Sequence, residues 1–426
     1  MDPSVVRACD WILANDPQTS PVPSGWIDLQ AGYWRFTMST SFPVGTVLRI
    51  DGQYPNSRLF SFAVEQGLSA VVSSLTDFEI APSAGSATPY SGPTTYDPSV
   101  APGGKYTAYL VFGPKPAQPA PNTMYVDTST FPTNDTDVVV IMRIYNAPPG
   151  QATAAAGNVP LPTLTVETAQ GDVPLSSYKP GTPACKALNA AEGAFSTALT
   201  EKISAAQSTP KAPNPIPAMP VPAAPKFRLY RSVKQDQGLD LTLNPDAQYG
   251  TWYISQTKAD LVYIRALAPT YVTQPGVGQQ PHSTDSDAQV RHWAVCSNGS
   301  SLLNSRTFQC VEDYTATIGS DGYFNIIISI PGKKPALTLL AQGYDWLTYG
   351  ETNIDVPIYR QLRPSPDYAQ AMANVADGDA ASQDRIARVM GSYMPQITYC
   401  GGSVFAQHAQ AGESRAQVFA ACQAGQ

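Results

Sequence analysis

Three histidines, His282, His292 and His408, are all this chain offers for imidazole chemistry, and only His292 stands among groups that could share a proton or grip a ligand. It lies in the apolar run Val290-Arg291-His292-Trp293-Ala294-Val295-Cys296, directly after Arg291 and upstream of Asp313. Imidazole, guanidinium and carboxylate on neighbouring strands are the parts of a general acid–base site or of an Arg clamp on oxygen ligands, because His titrates near neutrality and Arg presents a rigid fork of donors. The plainer reading makes His292 a partly exposed residue on a sheet face, turned away from Trp293 by strand alternation. Arg58 and Asp77 recur earlier in the chain as Arg291 and Asp313 do later. Buried pairing within each segment, Arg58 with Asp77 and Arg291 with Asp313, accounts for both, since a buried charge needs a partner. His282 and His408 read as solvent contacts.

A second constellation is Gly343-Tyr344-Asp345-Trp346-Leu347-Thr348-Tyr349-Gly350, followed by Arg360. Aromatic faces flanked by polar groups are what sugar rings and other amphipathic ligands stack on. The catalytic candidates are therefore His292, Asp313 and Asp345, and the ligand-binding candidates are Arg291, Tyr344, Trp346, Tyr349 and Arg360. No nucleophile elbow, zincin helix, phosphate loop, dinucleotide fingerprint or calcium loop occurs, and no Cys/His cluster has zinc spacing, so no metal and no cofactor is expected.

The elements that must position these groups are short strands. Runs such as 46–50, 58–64, 106–112 and 138–145 are β-branched or aromatic and end at Gly, Pro, Asn or Asp, which predicts a mainly β chain of sandwich or jelly-roll-like domains with a few peripheral helices. The chain also resembles itself. Ala31-Gly32-Tyr33-Trp34, Val47 to Ile50, Arg58 to Val64, Leu75 to Phe78, Gly103 to Ala117 and Ile144-Tyr145 are answered in order by Ala247 to Trp252, Leu261 to Arg265, Val290 to Cys296, Val311 to Tyr314, Gly322 to Ala336 and Ile358-Tyr359. A tandem duplication of one β-unit is the expectation, with Thr273–Asp287 as a loop insertion in the second copy. Helices are expected at Ser4–Ala14, Ala184–Ala206, within Pro366–Met390, and from Val404 to Cys422. A Pro-rich linker over 209–225 then divides the chain into domains 1–208 and 226–426.

Six cysteines, none in a metal-binding spacing, read as disulfides. Cys296 and Cys310 flank a turn between two strands, and their counterparts in the first copy, Ala63 and Ser74, are small, so this pair is expected to be bridged. Among the remaining four the preferred pairing is Cys400 with Cys422 and Cys9 with Cys185. Disulfides persist in oxidising compartments, and the sequons at Asn134 and Asn298 suit an extracellular or cell-surface chain. The N-terminus shows no signal-peptide pattern, so that placement assumes a mature chain.

Composition narrows the classes further. Charged residues make up 14% of the chain, 26 basic against 33 acidic for a net charge of −7, with 40 Pro and 22 Tyr. Soluble chains usually carry about 25% charged residues. A charged helical bundle is thereby excluded, and without a Lys/Arg run nucleic acid is not an expected partner. No stretch of about 18 apolar residues spans a bilayer.

At Gln289 to Cys296, Gly343 to Gly350, Tyr359-Arg360-Gln361-Leu362-Arg363-Pro364 and Met390-Gly391-Ser392-Tyr393-Met394-Pro395 through Tyr399-Cys400, the chain resembles a group of uncharacterised, mostly exported microbial β-rich proteins. The resemblance implies secretion and a Cys-stabilised two-copy architecture, and carries no catalytic residues. The expected function is extracellular binding or structural assembly, presenting aromatic loops to a glycan, a small amphipathic ligand or like subunits. A secreted hydrolase or lyase with a site between the two halves is the alternative.

Overall fold

The computed structural model describes residues 8–15, 27–66, 70–131, 137–147, 156–169, 171–175, 224–230, 244–276, 278–299, 306–350 and 354–425. The first half contains β1 (Ala8–Asn15), β2 (Ala31–Ser39), β3 (Val47–Gln53), β4 (Leu59–Gln66), β5 (Ala70–Thr76), β6 (Tyr90–Gly92), β7 (Thr95–Tyr96), β8 (Lys105–Phe112), β9 (Thr123–Val126), β10 (Asp137–Tyr145), β11 (Thr163–Glu167) and β12 (Val173–Pro174). The second contains β13 (Arg228–Tyr230), β14 (Ala247–Thr251), β15 (Ile254–Ser255), β16 (Leu261–Leu267), β17 (Tyr271–Val272), β18 (Ser283–Thr284), β19 (Val290–Asn298), β20 (Thr307–Glu312), β21 (Tyr323–Ser329), β22 (Asp345–Thr348), β23 (Ile354–Asp355), β24 (Ile358–Pro364) and β25 (Gln396–Cys400). Helices among the described residues are few: α1 (Leu337–Leu340), α2 (Gln383–Met390), α3 (Gly402–Gln410) and α4 (Arg415–Ala424), with several 3-10 turns.

The strands form mainly antiparallel sheets. In the first half the orders are β1-β2-β10-β4-β5 and β12-β11-β3-β8-β9. In the second they are β13-β14-β24-β19, with β20, β17 and β18 beyond β19, and β22-β21-β16-β25. The succession β2-β10-β4-β5 is thus answered by β14-β24-β19-β20, and β3-β8-β9 by β16-β21-β22. Even the departure from antiparallel pairing recurs, since β8 with β9 and β21 with β22 are both parallel.

Sequence chemistry explains the layering. β8 alternates, burying Tyr106, Ala108, Leu110 and Phe112 while the residues between are exposed or half-buried, as a strand with one covered face must. Its inner face meets β4, where Phe60 stacks on Tyr106 at 5.6 Å. β4 and β19 break this alternation: β19 is buried at every residue and β4 at all but its last. Their second faces are covered by the other half of the molecule. Ala31, Leu59 and Tyr145 form one apolar cluster with Ala247 and Leu362, and Val272 and Ala288 join the core of the first half.

Three expectations change. From Ala8 on, the segment expected as an N-terminal helix is strand β1, which pairs antiparallel with β2. Burial of Trp11 drives this: its ring meets Phe36 edge-on at 4.8 Å and its Nε1–H donates to the Pro162 carbonyl at 2.8 Å, contacts the strand geometry supplies. The C-terminal tail is two helices rather than one, broken at Gly412, whose φ of 74° favours glycine, and restarted by a capping box between Ser414 and Gln417. The insertion 273–287 is more than a surface loop, because the Gln274 side chain donates to the Asn146 carbonyl and Asp285 accepts from the Tyr96 amide at 3.2 Å. The helix expected at 184–206 and most of the Pro-rich segment 209–225 lie outside the described residues.

Two disulfides staple the second half. Cys296 and Cys310 are directly opposed in the β19–β20 register, as Ala63 and Ser74 are in β4–β5. Cys400–Cys422 ties α4 to β25. The Cys9 side chain and Cys185 lie outside the described residues. Among the described residues no helix is long and apolar enough to cross a membrane.

Candidate functional site

Asp77 and Asp313 each follow directly on a strand, β5 and β20, where the chain turns. Each carboxylate first satisfies its own half: Asp77 accepts from the amides of Phe60 at 2.9 Å and Phe78 at 2.7 Å, and Asp313 from that of Trp293 at 3.0 Å. Each then reaches across the junction. Arg58 Nη1 donates to both oxygens of Asp313 at 2.5 and 2.6 Å, and Arg291 Nη1 donates to Asp77 Oδ2 at 3.2 Å. The pairing is therefore crossed between halves, not closed within each. All four side chains are fully buried. Arg291 tolerates this because carbonyls of Gly92, Pro93 and Arg58 also accept from it, at 2.5, 2.6 and 3.0 Å. The Arg58 guanidinium instead lies over the rings of Tyr271 and Tyr314, at 5.0 and 5.5 Å.

His292 sits at the centre of this junction with 0% exposure, not on an open sheet face as strand alternation suggests. Its Nδ1 lies 2.9 Å from Asp313 Oδ2 and 3.1 Å from both Arg58 Nη1 and Asn146 Nδ2. Its Nε2 faces Glu312 Oε2 at 3.0 Å and Asp28 Oδ2 at 3.4 Å. Asp28 is held in the turn before β2, its Oδ1 accepting from the Gln30 amide at 2.9 Å.

Burial opposes charge on every one of these groups, and neighbours decide the outcome. Burial disfavours protonated His292, but the field of Asp313 and the contacts to Asp28, Asp313 and Glu312 outweigh it and hold the imidazole well above its usual range. Burial likewise raises Asp313, which Arg58 and His292 bring back below the ordinary carboxylate value. Asp28 is also lowered: burial is overcome by His292, with help from the Arg360 charge. For Glu312 the pull of His292 does not suffice, and burial together with the Asp28 charge pushes it up to about 8. Across the junction burial pushes Asp77 up to about 6 against the pull of Arg291.

The remaining sequence candidates lie in different surroundings. Asp345 accepts from the Thr317 amide and hydroxyl at 2.8 and 2.9 Å. Tyr344 is buried against Phe405 and Tyr263, and the Tyr349 hydroxyl donates to the Ile254 carbonyl at 2.6 Å, so neither ring is presented to solvent. Trp346 donates from Nε1 to Ser329 at 2.9 Å, with Lys334 4.0 Å above its ring. Arg360 is buried over Tyr249. His408 contacts Glu413 at 2.9 Å. Asp28, Glu312 and Asn146 were not singled out from sequence. The adjacency of Glu312 to Asp313 could have drawn attention to the first, whereas nothing near Asp28 or Asn146 marks them.

Chemically this is a buried proton-holding cluster, with His292, Asp28, Glu312 and Asp313 all closed to solvent. A cavity of about 10 Å³ near Gln53, Pro55 and Tyr106 holds one water at most. Asp28, His292 and Glu312 each bring one potential metal-ligating atom within 4.8 Å of the others. Cys296, Cys310 and Glu312 also converge, but both sulfurs are tied in the disulfide.

No family model matches the chain, and no curated protein does. Among solved structures it is similar to an uncharacterised protein from Burkholderia cenocepacia, with a TM-score of 0.47 and 12% identity over 83% of this chain and 78% of that one. It is also similar to a Vibrio parahaemolyticus protein, with a TM-score of 0.33 and 12% identity over 87% and 89%.

Proposed function

We propose that the chain is a non-catalytic extracellular or cell-surface protein, a rigid two-unit β scaffold that works by binding or by packing against like subunits. The observation that supports this is the sealed junction: His292, Arg291 and Asp313, the groups best suited to catalysis, are spent on holding the halves together. A catalytic role needs a reacting atom within reach of those groups, and none of the three faces solvent. Two disulfides favour an oxidising compartment. The crossed Arg–Asp pairs and matched sheet orders favour descent from a duplicated unit, because a reciprocal contact of residue i with j and of j with i is the mark of a two-fold interface. Low charge offers little resistance to association. Light scattering at micromolar concentration tests the assembly reading: growth in mass with concentration supports it, and a strictly monomeric chain sinks it. Turnover of a glycoside or ester, abolished by His292→Leu, would favour the enzyme instead.

A further inference from the structure

The two ends of the junction correspond by sheet order. Asp28 stands three residues before Ala31 at the start of β2, as Asn244 stands three before Ala247 at the start of β14. Both side chains make the same turn, accepting from the amide two residues on, at 2.9 and 3.0 Å. Glu312 precedes Asp313 as Thr76 precedes Asp77. In the paired strands Leu59 stands opposite Tyr145 where His292 stands opposite Leu362. One end therefore carries Asp28, His292 and Glu312 where the other carries Asn244, Leu59 and Thr76. Both ends are buried, so closing the junction does not require two carboxylates and an imidazole.

We propose that Asp28, His292 and Glu312 form a structural site for a divalent transition-metal ion of the zinc type. Asp28 Oδ2, His292 Nε2 and Glu312 Oε2 converge there, at 3.4 and 3.0 Å from the ring nitrogen, each buried and without a well-aligned hydrogen-bond partner, and Glu312 Oε1 is likewise buried without one. Those spacings suit a shared ion. Donors bound about 2.1 Å from one centre lie about 3.0 Å apart in octahedral and about 3.4 Å apart in tetrahedral geometry. Asp313 sits at Nδ1, the position from which a carboxylate fixes the ring tautomer, and an ion bound at Nε2 would take the place of the proton that Asp28 and Glu312 otherwise favour there. Arg58 neutralises Asp313, so a doubly charged ion balances Asp28 and Glu312. Arg360 also lies near enough to act on Asp28. Oxygen and imidazole donors select the zinc, manganese or cobalt class over soft monovalent ions.

The test uses tag-free, full-length protein refolded from urea with zinc ion alone, because the site is sealed in the folded chain. Elemental analysis after dialysis is expected to find one zinc per chain, and the unfolding midpoint is expected to rise with zinc and fall with a chelator. The variant Asp28→Asn/His292→Leu/Glu312→Thr copies the opposite end of the junction. It is expected to fold with a cooperative transition, to lose zinc binding by more than about a hundredfold, beyond the roughly 10–100-fold that losing a mere outer partner of a metal ligand costs, and to ignore the chelator. If that triple variant does not fold, Glu312→Gln decides by zinc titration, with a loss of about tenfold or more expected. A wild-type chain that retains no zinc and melts alike in zinc and chelator overturns the proposal, as does a variant that binds zinc as tightly as wild type.

Discussion

Replacing Arg58 by Met removes one of the two crossed struts while keeping most of the side-chain volume. Asp313 would keep the Trp293 amide and His292 but lose the guanidinium that meets both its oxygens. Breaking a buried pair by deleting one partner typically costs about 3–5 kcal/mol, because the remaining charge is left uncompensated. The stacking of Arg58 on Tyr271 and Tyr314 adds about 0.5–2 kcal/mol for each ring. The ion pair alone, at about 4 kcal/mol and a urea slope of about 3 kcal/mol per molar, moves the unfolding midpoint down by about 1.3 M, and the lost stacking can only enlarge the shift. Equilibrium urea unfolding followed by tryptophan fluorescence reads this directly. The double variant Arg58→Met/Asp313→Asn should recover part of the loss, since the cycle removes the stranded charge. Arg49 is the control: it pairs with Asp51, Glu167 and Asp172 at about one-third exposure, and Arg49→Met should cost less than about 1 kcal/mol. An Arg58→Met loss no larger than that of Arg49→Met would refute the reasoning, because the crossed pair would then contribute nothing that surface pairs do not.

Three further outcomes are expected. Removing the bridge by Cys296→Ala/Cys310→Ala frees a loop with a sequence separation of 14 and should cost about 3 kcal/mol on the chain-entropy model, with unchanged stability contradicting it. Asp77, raised by burial from 3.8 to about 6, holds its proton more tightly folded than unfolded, so its contribution is present in full below pH 3.8 and lost as pH rises through about 6. That amounts to about 3 kcal/mol, and urea midpoints measured across this window should fall with a slope that Asp77→Asn removes; a slope unaltered in the variant counts against it. At Gly250 an added Cβ would strike the Phe227 ring, so Gly250→Ala should cost about 1–3 kcal/mol by differential scanning calorimetry, and a neutral result would show that the ring yields freely.

The strands were legible because their runs are β-branched and end at turn residues: the expected 106–112 and 138–145 fall within β8 and β10. Cys296–Cys310 was legible because the small residues Ala63 and Ser74 hold the corresponding opposed positions. Residues 4–14 misled because Val5, Val6, Cys9, Ile12 and Leu13 fit a helical spacing, while the value of Trp11 lies in a distant contact with Pro162 that no local pattern contains. Burial of His292 was hidden by the same logic that found its strand. Alternation assumes one covered face, and β19 has two. The likeness between the two segments points to Arg pairing with Asp but not to which segment supplies the partner, so sequence favours Arg58 with Asp77 where the chain delivers Arg58 to Asp313. Asp28 gained its place only from the docking of the two halves.

The buried charge cluster should make the two halves one cooperative body, which native-state hydrogen exchange can read strand by strand. Amides of β4 and β19, on opposite sides of the junction, should exchange with one shared free energy equal to that of global unfolding, and both should lose protection together in Arg58→Met. Exchange of one strand at a markedly lower free energy than the other in the wild-type chain would contradict the account, because the halves would then open independently.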